Sequence, residues 1–335
     1  MQAAIYGLEG MTMSASERDF FRDSDPSGYI LFRRNCSDPA QVLALTDALR
    51  NLSGRDDVPI LIDQEGGRVA RMRMPQWPDF PAAEKFALLY CAAPSSAIEA
   101  VRSNARALGL MLRSAGVNVD CLPLLDVRQP GATDIIGDRA LGEEPMQVAA
   151  LGRAVLDGLS SAGVVGVVKH MPGHGRALVD SHKELPVVSA SAEELEIDLE
   201  PFERLNWAPM GMTAHVVYTA WDDERPASLS PTVIHDIIRE RIGFDGWLMS
   251  DDLGMEALQG DFGERAAGVV AAGCDVALHC SGKMAEMVAV AGAVPEMTAG
   301  GLERLERAMA SVNPEADGID FAEAIAKRDE LLALA

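Results

Sequence analysis

Short apolar segments alternate with longer amphipathic segments along nearly the whole chain, and this alternation limits the possible folds more than any other feature. The apolar segments are typical of buried strands and comprise Gly28–Leu31, Val58–Ile62, Val117–Leu122, Gly163–Val168, Pro209–Thr213, Gly246–Met249 and Val276–Leu278. The amphipathic segments predict helices at Pro39–Leu52, Ala97–Ala115, Pro145–Ala162, Ala192–Arg204, Pro231–Ile242 and Glu264–Ala272. Such alternation predicts an α/β protein with a mainly parallel sheet.

A parallel sheet of this size is either an open, doubly wound sheet or a closed barrel. No strand is followed by a Gly-x-Gly-x-x-Gly or Gly-x-x-x-x-Gly-Lys-Ser/Thr motif, so the nucleotide-binding open sheets have no support. The strand candidates favour a single (β/α)8 TIM-type barrel domain over residues 1–335, with one irregular strand. Ala289–Glu296 is the candidate for the eighth strand. The active site of such a barrel lies at the carboxyl ends of its strands.

The chain is strongly acidic, with 51 Asp and Glu residues, 29 Lys and Arg residues and a net charge of −22. This balance argues against nucleic acid as a partner, because few basic residues remain to neutralise phosphates. The cysteines lack Cys-x-x-Cys spacing, which suits a reducing compartment. Met1–Gly10 has no leader pattern and no long apolar run occurs. We therefore expect a cytoplasmic protein without a membrane span, acting as a monomer on a small molecule.

Polar residues directly follow the predicted strand Val58–Ile62. Asp63 comes next in the chain, the pair Gly66 and Gly67 permits a tight turn, and Arg71 lies on the segment behind it. A carboxylate at the barrel mouth can accept from two sugar hydroxyls, and an arginine can donate to others. The alternative is a carboxylate that caps the loop beside a surface arginine. Arg139 has the same two interpretations, as a ligand contact or as part of a structural salt bridge.

Two adjacent aspartates, Asp251 and Asp252, end the predicted strand Gly246–Met249. Side chains alternate along a strand, so the two carboxylates cannot both face the barrel lumen. One of them is expected to project into the site, and the other to serve a neighbouring loop. A pair of carboxylates at the end of a barrel strand is typical of catalytic sites.

The segment Lys169–Pro186 is predicted to be a loop after the strand Gly163–Val168. It holds three of the six histidines, with glycines and prolines that forbid a regular helix. One interpretation is a zinc site formed by His170, His174 and His182. Pro172 and Gly173 break the helix that the His170–His174 spacing would require. A second interpretation pairs Asp180 with His182, because an imidazole oriented by a carboxylate is a competent acid and base near neutral pH. The third is a set of turn histidines bonded to the backbone.

Three segments resemble the signatures of glycoside hydrolase family 3, and more narrowly those of its bacterial β-N-acetylglucosaminidases. They are Ile62–Val69, Lys169–His182 and Met249–Met255. Three lesser motifs fall in the matching order, at Ile136–Arg139, Met212–His215 and Pro226–Ser230. The resemblance spans about Ile5 to Cys280, and the Lys-His-x-Pro-Gly-His-Gly segment with the following Asp-Ser-His is its most specific part.

The resemblance implies a retaining double displacement on a (β/α)8 barrel. By this likeness Asp251 is the nucleophile, and His182 is the general acid/base, assisted by Asp180. The residues implied to bind the N-acetylglucosamine unit are Asp63, Arg71, Arg139, Lys169 and His170. The implied substrate is an N-acetylglucosaminyl-1,6-anhydro-N-acetylmuramyl peptide, an intermediate of peptidoglycan recycling. No metal or organic cofactor is implied, and His174 is expected to stabilise its loop.

The chain departs from the family pattern at two places. Met171 stands where an aromatic residue is usual, and we expect it to fill the same apolar space. The segment Arg176–Val179 is less polar than the pattern, which bears on loop mobility and specificity. The alternatives are another family 3 β-glycosidase, a zinc-dependent hydrolase using the three histidines, and a non-catalytic glycan-binding barrel.

Overall fold

The computed structural model describes residues 1–129, 131, 134–179, 184–312 and 320–334. Its strands, in chain order, are β1 (Gln2–Gly7), β2 (Pro26–Leu31), β3 (Ile60–Ile62), β4 (Val119–Asp120), β5 (Val165–Met171), β6 (Val187–Val188), β7 (Met210–Thr213), β8 (Val217–Tyr218), β9 (Asp222–Pro226), β10 (Trp247–Asp252) and β11 (Val276–His279). Eight of them close into a parallel barrel in the order β1, β2, β3, β4, β5, β7, β10, β11. The predicted (β/α)8 barrel is confirmed.

Helices follow each barrel strand and form the outer layer of the barrel. They are α1 (Ala15–Ser24), α2 (Pro39–Ser53), α3 (Ala83–Ala92), α4 (Pro94–Ser114), α5 (Pro145–Ser161), α6 (Ala192–Arg204), α7 (Phe262–Ala272), α8 (Met284–Ala293), α9 (Ala299–Met309) and α10 (Phe321–Leu332), with a π-helix at Val233–Arg241. All six predicted helices are present, with ends shifted by no more than a few residues. The assignment of residues 1–335 to one domain stays a prediction.

The sequence explains where several helices begin. The Asp38 carboxylate accepts a hydrogen bond from the backbone N–H of Gln41 at 3.0 Å, and α2 starts at the proline that follows Asp38. The Ser230 hydroxyl accepts from the backbone N–H of Val233 at 3.1 Å, at the start of the π-helix. Both caps satisfy N–H groups that a helix end leaves without an intrahelical partner.

The prediction of the eighth strand is wrong. Ala289–Glu296 does not form a barrel strand, because its first half belongs to α8. Strand β1 closes the barrel instead and pairs in parallel with β2 on one side and with β11 on the other. The alternating Val and Ala residues of α8 fit a buried strand and a buried helix face equally well, so periodicity alone cannot separate them.

The predicted strand irregularity is present at several places in the barrel. Strand β4 has only two residues, and the register shifts between β1 and β2, between β5 and β7 and between β10 and β11. Strand β5 runs to Met171, three residues beyond the predicted end. Lys169 and His170 were expected on a loop, so this expectation is wrong: both residues lie on the strand.

A small second sheet lies beside the carboxyl ends of β5 and β7. It contains β6, β8 and β9, with β6 parallel to β8 and β8 antiparallel to β9. The Tyr218 hydroxyl on β8 donates to the backbone carbonyl of Gly173 at 2.7 Å, which ties this sheet to the segment after β5. Among the described helices, none is long and apolar enough to cross a membrane.

Candidate active site

A cavity of about 300 Å³ opens at the carboxyl ends of the barrel strands. Its lining includes every predicted site residue that the structure describes, namely Asp63, Arg71, Arg139, Lys169, His170 and Asp251. These residues come from four separate segments of the chain, and the fold brings them to one place. The other two predicted catalytic residues, Asp180 and His182, lie outside the described residues.

Lys169 is the centre of a buried ion cluster on one wall of the cavity. Its ammonium lies 3.1 Å from the Asp63 Oδ1 and 2.8 Å from the Glu65 Oε1, and the lysine side chain is 2% exposed. Because both anions are fixed by the turn after β3, the lysine is held in one position at the end of β5. Such a buried, paired cation presents its remaining N–H group in a defined direction.

Two arginines extend the cluster on either side. Arg139 donates from Nε and Nη2 to the two oxygens of Glu65, both at 2.8 Å, in a bidentate pair. Arg71 donates to the Asp63 Oδ2 at 3.0 Å, and its guanidinium lies 4.9 Å from the centre of the Phe32 ring. Both arginines therefore form ion pairs and also line the cavity, so the salt bridge offered for Arg139 is present and leaves a ligand contact possible in the same place.

The turn that carries the two carboxylates depends on Gly66 and Gly67. Their φ angles are +99° and +54°, which side chains with a Cβ rarely adopt. A Cβ on Gly66 would lie 2.4 Å from the backbone oxygen of Pro81, and one on Gly67 would lie 2.7 Å from the Ala82 Cβ. The predicted tight turn is confirmed, and its close packing fixes Asp63 and Glu65 against Lys169.

The cluster keeps its charged state over a wide pH range. Burial alone would raise the pKa of Glu65, but the Lys169 and Arg139 cations outweigh burial and lower that pKa to about 2. The pKa of Asp63 lies below its usual range for the same reason, since Lys169 and Arg71 outweigh its burial. The two carboxylates in turn raise the pKa of Lys169 against the effect of burial. All three groups are ionised at neutral pH.

The Glu65 pKa predicts how stability changes in acid. The pKa falls from the ordinary value of 4.5 to about 2 on folding, so the ionised Glu65 stabilises the protein fully above pH 4.5. That contribution disappears as the pH falls from 4.5 towards 2. The difference in unfolding free energy between wild type and Glu65→Gln should therefore shrink over this range, as measured by urea unfolding at each pH. A difference that stays constant across the range would contradict the ion pairing.

Asp126 organises the histidines at the end of β5. Its carboxylate is fully buried, and Oδ2 lies 2.8 Å from the His170 Nδ1. Its Oδ1 accepts from the backbone N–H groups of His170 at 3.1 Å and His174 at 2.7 Å. Because a carboxylate only accepts, the His170 proton lies on Nδ1 and the opposite Nε2 is left to face other groups. Burial lowers the pKa of His174 to about 4, so His174 is neutral near pH 7.

The end of β10 carries the paired aspartates. Asp251 lines the cavity, and its Oδ1 accepts from the backbone N–H of Asp252 at 2.8 Å. The Asp252 Oδ1 accepts from the backbone N–H groups of Gly254 at 3.0 Å and Cys280 at 3.1 Å. The second carboxylate thus serves the neighbouring loops, as predicted, but Asp252 also lines the cavity beside Asp251.

Glu65 and Asp126 are two site residues that sequence reasoning did not single out. Glu65 lies two residues after Asp63 in extended chain, a spacing that places two side chains on the same face, and this signal could have identified it. Asp126 follows a two-residue strand through an irregular segment, and no local pattern marks it. Its role depends on the position of β5 beside it.

The described residues also contain a group with the spacing of metal ligands. His235, Asp236 and Glu240 lie together on the exposed π-helix, with ligand atoms within 4.8 Å of one another. None of the three lines the cavity. The zinc interpretation of His170, His174 and His182 involves a residue outside the described part of the chain. His170 and His174 do lie together, with ring centres 5.6 Å apart.

A parallel barrel whose strand ends gather carboxylates, cations and histidines around a small polar cavity is typical of barrel enzymes, whose active sites lie at this face. The chain matches the glycosyl hydrolase family 3 N-terminal domain over residues 3–313, and it belongs to this family. The resemblance stated from the motifs is confirmed.

Relatives with sequence or structure similar to this chain agree with the family. A beta-hexosaminidase from Methylococcus capsulatus is 38% identical over 312 residues, which cover 92% of this chain and 87% of that protein. NagZ from Neisseria gonorrhoeae in complex with N-trifluoroacetyl-D-glucosamine is 30% identical, with a TM-score of 0.85 over 100% of this chain and 98% of that one. The same protein in complex with zinc ion is 28% identical, with a TM-score of 0.86 over the same shares.

Proposed function

We propose that the protein is a retaining exo-β-N-acetylglucosaminidase that removes a terminal N-acetylglucosamine unit through a covalent intermediate on Asp251. This proposal rests on one observation: Asp251 and the ion cluster of Lys169, Asp63 and Arg71 line the same cavity. A volume of about 300 Å³ lies at the small end of the range for ligand sites and suits one sugar ring. Relatives named beta-hexosaminidase support a hexosamine as the sugar, and the NagZ complex with N-trifluoroacetyl-D-glucosamine supports a glucosamine derivative.

The ion cluster would bind the hydroxyl groups of that sugar. Asp63 accepts from hydroxyl groups, whereas Lys169, Arg71 and Arg139 donate to hydroxyl or acetamido oxygens. Since each of these charged groups already has a partner of opposite charge in the cluster, a neutral sugar enters without leaving an unpaired charge buried. His170, oriented by Asp126, adds a ring nitrogen to the same set. Several fixed contacts of this kind would hold C1 of the sugar at attack distance from Asp251.

The reaction would proceed in two displacements at C1. In the first, the Asp251 carboxylate attacks C1 while His182 donates a proton to the departing glycosidic oxygen, and Asp180 stabilises the imidazole. In the second, His182 takes a proton from water, whose oxygen attacks C1 and releases Asp251. Two inversions give net retention. The roles of His182 and Asp180 rest on the family motif alone.

We further propose that the substrate is an N-acetylglucosaminyl-1,6-anhydro-N-acetylmuramyl peptide of peptidoglycan recycling. This part of the proposal rests on the motif resemblance. On the same ground we propose that the protein is a cytoplasmic monomer, that it needs no metal or organic cofactor, and that residues 1–335 form one catalytic barrel.

The direct test of substrate and class uses a purified 1,6-anhydro-muropeptide that bears terminal N-acetylglucosamine. We expect release of free N-acetylglucosamine, detected by mass spectrometry, and equal rates with and without excess EDTA. The similar structure of NagZ from Neisseria gonorrhoeae contains a zinc ion. Activity in the presence of the chelator therefore distinguishes a metal-independent glycosidase from a zinc-dependent hydrolase. Loss of activity in EDTA that added zinc restores would favour the zinc enzyme. If no N-acetylglucosamine is released from the muropeptide but p-nitrophenyl N-acetyl-β-glucosaminide is still cleaved, the protein is a family 3 β-glycosidase with another natural substrate.

The acid role of His182 predicts a dependence on the leaving group. p-Nitrophenolate departs with little protonation, so His182→Ala should lose much less activity on p-nitrophenyl N-acetyl-β-glucosaminide than on a disaccharide with an alkyl leaving group. A difference of about 100-fold between the two losses is in the usual range for general acid catalysis. The measurement is kcat/KM on both substrates, with His235→Ala as the control, because His235 is exposed and outside the cavity. Equal losses on both substrates would contradict the acid role.

A further inference from the structure

Two sequence motifs lie together beneath the end of β10, namely Met212–His215 and Pro226–Ser230. Neither motif contributes a titratable side chain to the cavity. His215 follows β7 and is fully buried. Its Nδ1 lies 2.6 Å from the Ser228 hydroxyl, and its Nε2 lies 3.1 Å from the backbone carbonyl of Asp252. The motifs therefore connect to the strand that carries Asp251.

These two contacts fix the protonation pattern of His215. A carbonyl oxygen only accepts, so Nε2 carries a proton and donates to Asp252. The Ser228 hydroxyl then donates to Nδ1. Burial lowers the pKa of His215, which favours this neutral form. Ser228 is itself held in place, because its own N–H donates to the carbonyl of Ala214 at 3.2 Å.

Asp252 links His215 to Asp251. The backbone N–H of Asp252 donates to the Asp251 Oδ1, and the backbone carbonyl of the same residue accepts from His215. The two groups belong to successive peptides that meet at the Asp252 Cα, so His215 restrains the peptide next to the one whose N–H orients Asp251. Ser250 holds the preceding peptide, since its hydroxyl donates to the carbonyl of Asp251 at 2.8 Å. The peptide that orients the Asp251 carboxylate is thus held directly by Ser250 and, through the Asp252 Cα, by His215.

We propose that His215, oriented by Ser228, is a positioning residue that holds the Asp251 carboxylate in line with C1 of the bound sugar. It acts through the backbone of Asp252 and does not touch the substrate. The proposal rests on the proposed function, because it gives Asp251 the role of nucleophile. Since Asp251 takes part in both displacements, a misplaced carboxylate should slow the formation and the breakdown of the covalent intermediate alike.

The first test replaces His215 with leucine, which removes the donor, and with glutamine, whose amide N–H reaches a similar position. We expect His215→Leu to lower kcat by about 10- to 100-fold, the range for a small displacement of a reacting group. His215→Gln should recover part of that loss. The loss should be equal for p-nitrophenyl and alkyl leaving groups, unlike the loss expected for His182→Ala. A folded His215→Leu variant with wild-type kcat, or a loss that depends on the leaving group, would overturn the proposal.

A matched pair of serine variants keeps the test decisive where His215 variants fail to fold. Ser228 and Ser230 are both fully buried and lie two residues apart. Ser228 bonds to His215, whereas Ser230 caps the π-helix and donates to Asp222 at 2.6 Å. We expect Ser228→Ala to lower kcat several-fold and Ser230→Ala to lower thermal stability with kcat unchanged. Equal kcat values for the two variants would overturn the proposal.

Asp251→Ala separates this proposal from the proposed function. If Asp251→Ala keeps near-normal turnover, the assignment of the nucleophile fails, and with it the proposed function. If Asp251→Ala is inactive while His215→Leu and Ser228→Ala match wild type, only the positioning role fails.

Discussion

Replacement of Asp251 with alanine is expected to lower kcat for p-nitrophenyl N-acetyl-β-glucosaminide by about 10⁴-fold or more, because a positioned nucleophile contributes several powers of ten to the rate. The barrel should remain folded, since Asp251 lies at the mouth of the cavity and is only partly buried. Sodium azide should restore part of the turnover by occupying the space of the missing carboxylate. Attack by azide on C1 gives one inversion, so the product should be the α-glycosyl azide.

Asp252→Asn is the matched control for this experiment. Asparagine keeps an Oδ1 that can accept from the N–H groups of Gly254 and Cys280, as Asp252 does. We expect this variant to lose less than about 10-fold in kcat, because it weakens a loop contact and leaves Asp251 in place. Near-normal turnover by Asp251→Ala, or equal losses for the two variants, would contradict the assignment of the nucleophile.

Replacement of Lys169 with methionine is expected to damage both stability and substrate binding. It leaves Asp63 and Glu65 buried with one cation fewer, although Arg71 and Arg139 still pair with them. Removal of one partner from a buried ion pair typically lowers the free energy of unfolding by about 3 to 5 kcal/mol. Because the two arginines remain, we expect a loss at the lower end of this range. Loss of a charged hydrogen bond to the sugar should lower kcat/KM by about 10- to 100-fold.

Lys283→Met provides the control for the loss of a lysine. Lys283 is 73% exposed and pairs with Glu286 at 3.0 Å, so its removal should change stability little. Urea unfolding and kcat/KM are measured for both variants in the same buffer. If Lys169→Met unfolds at the same urea concentration as wild type and keeps its kcat/KM, Lys169 neither anchors the cluster nor binds substrate.

The barrel could be predicted from the sequence because most of its strands and helices carry a local signal. The strand Gly246–Met249, for example, is apolar and is followed by turn and helix signals. Strand β1 lacks such a signal, because Ala3, Ala4 and Gly7 have low β propensity. Its place is decided by pairing with β11, about 270 residues later in the chain, and no local pattern contains that information.

The sequence could predict part of the membership of the site, but neither Glu65 and Asp126 nor the contacts between its residues. Asp63, Lys169 and Asp251 each follow or end an apolar strand, and parallel strands bring their carboxyl ends together. The extension of β5 through Lys169 and His170 was missed because polar residues inside a strand resemble a loop. The contacts of Glu65, Asp126 and His215 depend on side-chain packing between segments distant in the chain, which single-sequence reasoning does not contain.

The most direct measurement is the identification of the residue that carries the sugar in the covalent intermediate. Wild-type protein is incubated with 5-fluoro-N-acetyl-β-glucosaminyl fluoride. Its fluorine at C5 slows both displacements, but fluoride is a good leaving group and keeps the first displacement fast, so the covalent intermediate accumulates. Proteolysis and tandem mass spectrometry then locate the adduct. We predict one fluorinated N-acetylglucosaminyl group per chain, bound to the Asp251 side chain. Attachment to another residue, Asp252 included, or turnover with no covalent adduct would contradict the account.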